Sequence, residues 1–542
     1  MKYAKTPYTI KTDMLLPVRI VLSEKTKNPE NLLTESPRQA VLGTARSVTT
    51  IEKGGYVIVD FGEEIQGGIV ITNNSCTKTD EGFARFVFGE SVSETMSSIG
   101  EKNATNDHIP RDFTYPVCMM SHMRIGNTGF RFVKIEAVDC RLELSGVQAA
   151  YEHAGLPLLG DFKCDNELVN RIWQTAVKTV YLCMQEYLWD GIKRDRLVWL
   201  GDMHPETSVI LSAFGAAACV PKSLDLGRDD GDVDGWMNYF PSYSMQWVRN
   251  QYLWFMYTGD MTYLKEQQTY MCALLRRFCD RIDDSGNMEF ENYFVDWSSN
   301  ETPSQKAGFR AVAVLALSEG AILCRALGEN ECAVLCETTV SKLKKQCEPY
   351  DGNKQIAALC SLAGLGDAKE IHETLLLPGG AQGLSTFLGY YTLLAMDEAC
   401  TEDALSVMQE YWGAMLQFGA TTFWEDFDIE WTKNAAPIDA PVPEGKIDIH
   451  GDYGKFCYTQ LRHSLCHGWA GGPAAYLSKK VLGIEILEPG CKKVRVQPSL
   501  GSLNFAEGKF PTPYGVISVK HEKVGNEIKT EISAPSEVEI VR

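Results

Sequence analysis

The hydrophobic pattern changes twice along the 542-residue chain, and these changes limit the possible folds more than any other feature. Up to about residue 155, short runs rich in β-branched residues alternate with turn residues, as at 56–61 and 68–72. From about 160 to 480, apolar residues recur instead at the three- and four-residue spacing of amphipathic helices. Strand-like runs then return. The pattern predicts a β region, a large α block and a small β region, in that order.

The same patterns predict secondary structure in more detail. Residues 130–138 partly alternate between apolar and charged side chains, and several short strands at this spacing predict a β-sandwich. Asp165 could cap the first helix, where apolar residues follow at steps of four from Leu168 to Val180. Further helical stretches are predicted at 245–280, 305–330, 332–347, 354–364, 385–400 and 401–417.

These changes of pattern divide the chain into three predicted domains. Residues 1–155 form the N-terminal β domain, residues 156–482 the helical domain and residues 483–542 the C-terminal β domain. One long irregular segment, 434–452, interrupts the helical block and is rich in Pro, Gly, Ala and Asp. Connections of this length are uncommon in compact domains and are often functional.

The charge balance excludes several classes of partner. Lys and Arg number 52 against 71 Asp and Glu, which gives a net charge of −19, and no cluster of basic residues interrupts the acidity. Nucleic acids and anionic membrane surfaces both require a basic face, so we expect neither as a partner. The acidity is compatible with a neutral small substrate.

The 17 cysteines contain no CxxC pair, and the closest two are Cys332 and Cys336. They are typical of small buried hydrophobes in a reducing compartment, so we expect no zinc ribbon and no metal or other cofactor. The apolar run at 14–22 is too short and too interrupted for a signal peptide. The longest uncharged stretch, 207–221, is shorter than the ~20 residues of a membrane span. We therefore expect a cytoplasmic protein. The sequence leaves its oligomeric state open, and a homodimer is one alternative.

The densest polar cluster lies between residues 190 and 206. Carboxylates and basic residues alternate there around a tryptophan, and Gly191, Gly201 and Pro205 favour a loop between helices. A solvated charged loop is one interpretation. A sugar pocket is the other, because such a mixture can bind hydroxyls and stack a ring. Its candidate site residues are Asp190, Arg194, Asp195, Trp199, Asp202 and Glu206.

Three more segments carry candidate site residues. Residues 419–428 place Glu425 among aromatic residues, which could tune it as a general base, although an acidic helix start is equally possible. His463 and His467 are four apart and could share one helix face, but no Glu completes a metal motif. The candidates from these segments are Asp296, Trp297, Trp424, Glu425 and His467. Two separated acidic clusters in an aromatic-rich helical domain indicate glycoside hydrolysis, where acid and base flank the scissile bond.

The motifs resemble those of the α-L-rhamnosidases of glycoside hydrolase family 78. That family carries a loop of the form Asp-x-x-x-Arg-Asp/Glu…Trp-x-Gly-Asp, and here residues 190–202 match it. Its Gly-Ala-Thr-Thr-x-Trp-Glu and Ser-Leu-x-His segments are matched at 419–425 and 464–467. The Pro-Gly-Cys-Lys-Lys sequence at 489–493 resembles the family's lead into a C-terminal β domain. The resemblance covers most of residues 50–542.

The resemblance implies a multidomain α + β fold with an (α/α)6 barrel between β-sandwich domains, and an inverting mechanism. It implies that Glu425 is the base that activates water and that Asp195 occupies the position of the general acid. Many family members have Glu at the acid position, and Asp is one methylene shorter. Asp202 and Glu206 therefore remain alternative acids. The residues implied for the sugar pocket are Asp190, Asp202, Asp296, Trp297 and His467.

The expected function is an exo-acting glycosidase that releases terminal α-L-rhamnose from a small glycoside or oligosaccharide. One alternative is a sugar-binding protein whose catalytic site has degenerated. Another is a related (α/α)6 glycosidase for a different deoxy or acidic sugar. The matched acid loop favours the rhamnosidase.

Overall fold

The computed structural model describes residues 2–3, 6–35, 47–76, 81–230, 235–525 and 527–542, with only the backbone of residues 76 and 81. The first region contains mainly strands, as predicted, and one short helix, α1 (Val92–Met96). The strands are β1 (Lys11–Leu15), β2 (Arg19–Lys27), β3 (Thr49–Cys76), β4 (Glu81–Gly89), β5 (Asp112–Cys118), β6 (Ser121–Ala137) and β7 (Leu142–His153).

These seven strands form one antiparallel sheet organised around β3. The hydrogen-bonded order is β1-β7-β3-β6-β4-β5, and β2 pairs with β3. Both ends of β3 pair with residues 142–144 of β7, so the sheet curls back on itself. Side chains such as Val57, Ile69 and Phe86 are fully buried by this curvature.

The central region is helical, and every helical stretch predicted from the sequence is confirmed to within a few residues. A short strand, β8 (Asp161–Cys164), precedes it. The helices are α2 (Glu167–Cys183), α3 (Met203–Ala213), α4 (Cys219–Asp230), α5 (Pro241–Thr258), α6 (Met261–Cys279), α7 (Gln305–Leu327), α8 (Asn330–Leu343), α9 (Lys354–Leu362), α10 (Ala368–Ile371), α11 (Thr386–Ala399), α12 (Thr401–Gln417) and α13 (Gly472–Tyr476).

Alternate helices contact one another in a closed ring. Helix α3 packs on α5, α5 on α7, α7 on α9, α9 on α11, α11 on α13, and α13 returns to α3. Ring helices are buried on most sides and are therefore apolar around most of their circumference. In the described part of the chain, α7 is the one helix long and apolar enough to cross a membrane, and most of it is buried inside the protein.

Connections that lead into the ring helices carry the residues singled out from the sequence. The segment between α2 and α3 holds residues 184–202, and the one between α6 and α7 holds Asp296. The connection between α12 and α13 spans 418–471 and contains two two-residue strands, β9 (Ala435–Ala436) and β10 (Ile447–Asp448). Because each of these segments ends where a ring helix begins, the topology places them at one end of the ring.

Two details differ from the sequence prediction. Asn166, not Asp165, caps α2, since its side chain accepts hydrogen bonds from the amides of Leu168 and Val169. Asp165 accepts hydrogen bonds from Asn504 instead. The polar cluster at 190–206 is also not a loop throughout. Helix α3 starts at Met203, so its last four residues are helical, and Pro205 is tolerated in the first turn, where amides lack intrahelical partners.

The last region forms two small sheets. One contains β11 (Ile484–Ile486), β12 (Lys493–Val496) and β16 (Glu539–Val541), and the other contains β13 (Phe505–Thr512), β14 (Gly515–Val524) and β15 (Glu527–Ser533). Strand β8, which precedes the helices, pairs with β13 at the edge of the second sheet. The chain thus contributes a strand from residue 161 onward to the C-terminal sheet, which the sequence pattern did not indicate.

The cysteines whose side chains the structure describes are free thiols, and most of them are buried. This confirms the prediction that they act as small core residues.

Candidate active site

One arginine joins the two carboxylates singled out as catalytic candidates. The Arg194 guanidinium donates one hydrogen bond to Glu425 Oε1, and its Nη1 lies 3.2 Å from Asp195 Oδ1. A single guanidinium in contact with both groups keeps them no farther apart than roughly the 6.5–9.5 Å of an inverting pair. Two segments more than 200 residues apart therefore meet at one functional group.

Backbone contacts fix these two segments against each other. Gly191 and His467 form an isolated antiparallel bridge, and the amide of Gly468 donates to the carbonyl of Asp190 at 2.7 Å. The Glu425 amide donates to the carbonyl of Ser464 at 2.9 Å, and the Ser464 amide donates to Glu425 Oε2 at 3.2 Å. Glu425 is thus held at both its backbone and its carboxylate.

His467 stands at the centre of a group of carboxyls. Its Nε2 lies 3.6 Å from Asp190 Oδ2, 3.7 Å from Glu425 Oε1 and 3.9 Å from Asp202 Oδ2. These distances exceed those of normal hydrogen bonds. The ring and the three carboxyls therefore remain able to bond to a common third group, such as the hydroxyls of a sugar.

Burial sets the protonation states in this cluster. It raises the pKa of Asp190 well above its ordinary value, and the neighbouring Asp195 and Asp202 raise it further. Burial likewise raises the pKa of Asp202 and of Glu206. The pKa of His467 is lowered to about 3 by burial and by Arg194. Because burial favours protonated, neutral carboxyls, the surroundings offer His467 too little negative charge to keep it protonated.

Arg194 supplies the lasting positive charge of the site. Burial lowers its pKa, but the carboxylates of Glu425 and Asp195 outweigh burial and raise it overall. The site thus combines one guanidinium, a neutral imidazole and several carboxyls, some of which have raised pKa values. Groups of both kinds, proton donors and proton acceptors, are what acid–base catalysis needs.

Two glycines allow side chains to approach this loop closely. A Cβ at Gly201 would lie 2.1 Å from the ring of Tyr243, whose hydroxyl donates to Asp202 Oδ1 at 3.1 Å. A Cβ at Gly468 would lie 2.0 Å from Glu206 Oε1. Only glycine therefore fits at either position without displacing a residue that borders the carboxyl cluster.

Asp195 occupies the outer edge of the cluster. Its φ of +60° is in the left-handed region, which is uncommon for a residue other than glycine and is found more often at functional sites. His108, from the N-terminal region, places Nε2 3.0 Å from Asp195 Oδ1. The candidate acid is thus held by two donors, Arg194 and His108.

Aromatic residues flank the cluster on one side. Trp297 packs edge-on against Phe294 and stacks on Phe456 at a centroid distance of 6.4 Å. Trp199 packs edge-on against Tyr243. The carboxyl of Asp296 accepts hydrogen bonds from Ser298 and Ser385, and burial raises its pKa.

Family models match two parts of this chain. Residues 157–333 match the six-hairpin glycosidase domain of bacterial α-L-rhamnosidases, and residues 483–541 match the C-terminal domain of those proteins. In these two parts the chain resembles the α-L-rhamnosidases of glycoside hydrolase family 78. A curated α-L-rhamnosidase of Alteromonas sp. (strain LOR) is 23% identical over 98% of this chain and 58% of its own length.

Solved structures of the family share the fold. The family 78 rhamnosidase of Bacillus sp. GL1 matches with a TM-score of 0.75 and 21% identity, over 94% of this chain and 55% of its own. The rhamnosidase of Klebsiella oxytoca, solved with rhamnose bound, matches with a TM-score of 0.67 and 20% identity, over 87% of this chain and 96% of its own. The chain thus spans little more than half of the length of the curated relative and of the Bacillus protein. Both solved structures support a mixed α/β multidomain fold.

Most candidates named from the sequence meet in this site, and Trp424 has a different setting. Asp190, Arg194, Asp195, Asp202, Glu425 and His467 are in mutual contact, and Glu206 borders them. Trp424 is only 1% exposed and packs edge-on against Phe427, so its role in stacking a sugar remains a prediction.

The expectation that His463 and His467 share a helix face is wrong. Both residues are extended, at the end of one 3-10 helix and before the next. His463 Nε2 accepts a hydrogen bond from the amide of Asp426, whereas His467 faces the carboxyls. Within the described residues, the groups able to share a metal ion are Cys272–Cys324–Cys332 and Glu90–Glu94–His450. The second group already contacts the ammonium of Lys193.

Lys193 anchors the catalytic loop to the N-terminal region. Its Nζ lies 2.9 Å from Glu90 and 3.2 Å from Glu94, and it also donates to the carbonyls of Leu461 and His463. Glu90 in turn accepts a hydrogen bond from the Leu465 amide at 2.7 Å. Arg194 and Asp195 directly follow this buried anchor.

The sequence analysis missed three residues of the site. Tyr243, His108 and the backbone of Ser464 each hold a candidate carboxyl. Tyr243 and His108 lie far along the chain from the motifs they contact, with no distinctive pattern around them. Ser464 belonged to a matched motif, but its role depends on an amide, and every residue type except proline provides one.

Proposed function

We propose that this chain is an inverting exo-glycosidase that releases terminal α-L-rhamnose from a small glycoside or oligosaccharide. The observation that carries the proposal is the single Arg194 guanidinium in contact with both Asp195 and Glu425. It sets an upper limit on the spacing of the two carboxyls, and this limit is compatible with the roughly 6.5–9.5 Å of an inverting pair. The rhamnosidases with the same fold support the choice of sugar.

Glu425 is the proposed base. Its Oε1 accepts from Arg194 and its Oε2 from the Ser464 amide, so the carboxylate is oriented while lone pairs remain for a water. Proton transfer from that water to Glu425 would accompany attack on the anomeric carbon. The backbone carbonyl of Glu425 accepts hydrogen bonds from Thr386 and Trp469, which fixes the residue further.

Asp195 is the proposed acid, which protonates the oxygen of the leaving group. Because its side chain is one methylene shorter than Glu, the left-handed backbone at this position would have to bring the carboxyl within reach. Asp202 and Glu206 remain the alternatives, since burial raises the pKa of both and so favours the protonated form. Substrates with good and poor leaving groups distinguish these assignments.

The carboxyls around His467 and the tryptophans beside them would bind the sugar. Asp190, Asp202 and His467 present oxygen and nitrogen atoms to a common point, as sugar hydroxyls require. Trp297 and Trp199 would pack on apolar faces of the ring. The closed contact ring of α3, α5, α7, α9, α11 and α13 supports an (α/α)6 barrel between β-sandwich domains. The proposed domains are residues 1–155, 156–482 and 483–542. The proposed location is the cytoplasm.

The test is hydrolysis of 4-nitrophenyl α-L-rhamnoside by the wild-type chain and by Glu425→Gln and Asp195→Asn. Glu425→Gln should lower kcat by at least about 10³-fold, because it removes the carboxylate that is positioned to take the proton of the water. Proton NMR during the first turnovers should show β-L-rhamnose before the α anomer. Glu430→Gln, which removes an exposed carboxyl from the same segment, is the matched control and should leave the rate unchanged.

Rates measured on substrates with good and poor leaving groups test the role of Asp195. Nitrophenolate needs little protonation, so Asp195→Asn should be mild on this substrate and severe on an alkyl rhamnoside. An equal effect on both substrates would move the acid to Asp202 or Glu206. Turnover of a different aryl glycoside instead would assign the chain to another deoxy or acidic sugar.

The sugar-binding protein is the second candidate, and one observation favours it. The candidate acid Asp195, whose side chain is shorter than that of Glu, already contacts both Arg194 and His108. Saturable binding of rhamnose without turnover, unchanged by Glu425→Gln, would establish that function.

A further inference from the structure

Five cysteines from three consecutive helices meet in the core of the helical region. Cys272 and Cys279 belong to α6, Cys324 to α7, and Cys332 and Cys336 to α8. All five are buried, and at most 5% of any of them is exposed to solvent. Residues four or seven apart on a helix lie on the same face, so α6 and α8 each direct two thiols toward one region of the core. The packing of the helices thus brings together thiols that are distant along the chain.

A tight turn between α7 and α8 determines how two of these thiols meet. Gly328 follows the last residue of α7 with a φ of +80°, a left-handed conformation that glycine adopts readily at the end of a helix. The amide of the next residue, Glu329, donates to the carbonyl of Cys324 at 2.8 Å, and α8 begins directly afterwards. The chain therefore reverses within a few residues. This reversal places Cys332, in the first turn of α8, beside Cys324, in the last turn of α7.

Three of the thiols have nearly the spacing of ligands that share one metal ion. The Sγ atoms of Cys272, Cys324 and Cys332 all lie within 4.8 Å of one another. A zinc–sulfur bond is about 2.3 Å long, so two sulfurs on a tetrahedral ion are about 3.8 Å apart, and a closure of about 1 Å would complete the geometry. Cys336 makes a thiol contact with Cys332. The cluster therefore provides three sulfurs for one ion and a fourth sulfur next to them.

The sulfur of Cys332 has surroundings different from those of other buried cysteines in this protein. Cys360 donates to a backbone carbonyl at 3.6 Å, and Cys491 does so at 3.3 Å. The Cys332 sulfur is 4.0 Å from the nearby carbonyl of Cys272 and makes its closer contacts with thiols. Hydrogen bonds from three neighbouring cysteines lower the pKa of Cys332. A sulfur that is surrounded by other sulfurs belongs to a soft donor set, as thiophilic metals require.

The chemistry of the donors restricts the kind of ion. Thiolates prefer zinc and copper(I), whereas calcium and magnesium prefer oxygen ligands. Each thiol would release its proton on binding, so three thiolates around Zn²⁺ leave one negative charge in the core. Arg276, on α6, is close enough to Cys332 to contribute to its lowered pKa, and the same positive charge would offset that of the complex. The surroundings therefore suit a complex of small negative charge.

We propose that Cys272, Cys324 and Cys332 form a binding site for one soft metal ion, zinc or copper(I), and that Cys336 is the fourth ligand when the ion is zinc. The ion would join α6, α7 and α8 and stabilise the folded chain. This site goes beyond the proposed glycosidase, since no step of the hydrolysis uses it. It also differs from the expectation of no metal drawn from the sequence, because its ligands come from three helices and form no recognisable motif.

The first test is the metal content of the full chain, purified under reducing conditions. Elemental analysis should find about one zinc or copper per wild-type chain and less than about a tenth of that in Cys332→Ala. Cys272→Ala tests the same site if Cys332→Ala does not fold. Cys360→Ala, which changes a fully buried cysteine on α9, is the matched control and should keep the metal. Because the ligands are buried, a chelator should release the ion only after the chain is unfolded.

Refolding with a spectroscopic probe metal provides the second test. The reduced chain refolded with Co²⁺ should show thiolate-to-cobalt charge-transfer absorption if the site is of the zinc type. Refolded without oxygen in the presence of copper(I), it should show copper–thiolate luminescence if three sulfurs suffice. Either signal should be lost in Cys332→Ala and Cys272→Ala and kept in Cys360→Ala. The metal-loaded chain should also have a Tm several degrees above that of the metal-free chain, because the ion binds only the folded state.

Two results would overturn the site. One is a wild-type chain that contains no metal and gives neither signal, and the other is metal retained equally by Cys332→Ala. The five cysteines would then be core residues only. Hydrolysis of the aryl rhamnoside separates this inference from the proposed function, since kcat should be the same for the metal-loaded and metal-free chains at a temperature where both are folded. A lower kcat without metal would overturn the purely stabilising role.

Discussion

The two β regions that flank the helices meet the ring in different ways. The N-terminal region sends charged side chains into the candidate site, Glu90 and Glu94 to Lys193 and His108 to Asp195. The C-terminal region meets the far end of the ring, where Tyr257 donates to the carbonyl of Pro511. Tyr257 lies 14 residues after the site residue Tyr243 on α5, which places the two roughly 21 Å apart.

This difference shows that similar strand patterns can serve unrelated purposes. The sequence patterns of both regions predict short strands with turns. Neither sequence pattern indicates which region contacts the site. The contacts of Glu90 and Glu94 with Lys193 are charged and buried, whereas an exposed pair such as Arg495–Glu485 is typical of the C-terminal region. We therefore expect substitutions at the N-terminal contacts to change activity, and substitutions at the C-terminal contacts to change stability alone.

The largest effect is expected for Lys193→Met. It leaves the buried Glu90 without its cation and Glu94 with Arg111 alone, and breaking a buried pair typically costs about 3–5 kcal/mol of folding free energy. Because Arg194 and Asp195 follow directly, kcat/KM should also fall by about 10²-fold. Glu90→Gln keeps the shape and loses one charge, so it tests the same contact if Lys193→Met does not fold.

The matched C-terminal variant is Arg495→Met, which breaks an exposed pair worth less than about 1 kcal/mol. Urea unfolding and hydrolysis of the aryl rhamnoside would be measured for each variant. Equal losses for Lys193→Met and Arg495→Met would remove the distinction between the two regions.

A smaller effect is expected for His108→Gln. The histidine reaches Asp195 from the N-terminal region and is partly exposed, so its loss should barely change stability. It should lower kcat/KM about tenfold through misplacement of the acid and alter the limb of the pH–rate profile that reports the acid. His122→Gln, which replaces an exposed histidine on β6 of the N-terminal region, is the control. A rate and profile identical to wild type would show that His108 has no part in the reaction.

Lowering the pH should also affect the N-terminal and C-terminal regions differently. His450, beside the N-terminal contacts, and His521, in the C-terminal sheet, both use Nε2 to bond a backbone carbonyl and Nδ1 to bond a hydroxyl. Burial lowers the pKa of each to about 4. The unfolded chain binds a proton near pH 6.5 and the folded chain only near 4, so stability falls as the pH drops through this interval.

The variants make this pH effect measurable. His450→Gln should remove up to about 3 kcal/mol of the acid-induced loss of stability, because the glutamine does not titrate. His521→Gln should also reduce the loss. Only His450→Gln should shift the pH at which activity is lost, since His450 bonds the carbonyl of His463 next to Glu425's partner Ser464. An identical shift for both variants would contradict the comparison.

Local patterns explain how much of the molecule the sequence could predict. Helices such as α7 and α12 follow from apolar spacing, and the motifs located Asp190, Arg194, Glu425 and His467, which the structure brings together. Contacts that join distant segments left no such pattern. His108 and Glu90 look like ordinary residues of a β domain, and β8 pairs with a strand more than 300 residues later. Side-chain hydrogen bonds also decided between Asp165 and Asn166, two residues equally able to cap a helix.

The smallest effects are expected for two asparagines, one in each β region. They test the comparison directly, because the same type of side chain is removed in both regions. Asn103 donates to Thr459 at the N-terminal contact, and Asn504 donates to Asp165 at the C-terminal one, both through exposed side-chain amides. Alanine at either position should cost less than about 1 kcal/mol, since water replaces the lost bond.

Activity should nevertheless differ between these two variants. Asn103→Ala loosens the segment that carries Phe456 and Cys457, so KM for a disaccharide should rise two- to threefold while kcat stays constant. Asn504→Ala should leave both constants unchanged, because its contact lies at the opposite end of the ring. A change of more than twofold with Asn504→Ala would mean that the C-terminal sheets also communicate with the site, and the two β regions would then differ only in degree.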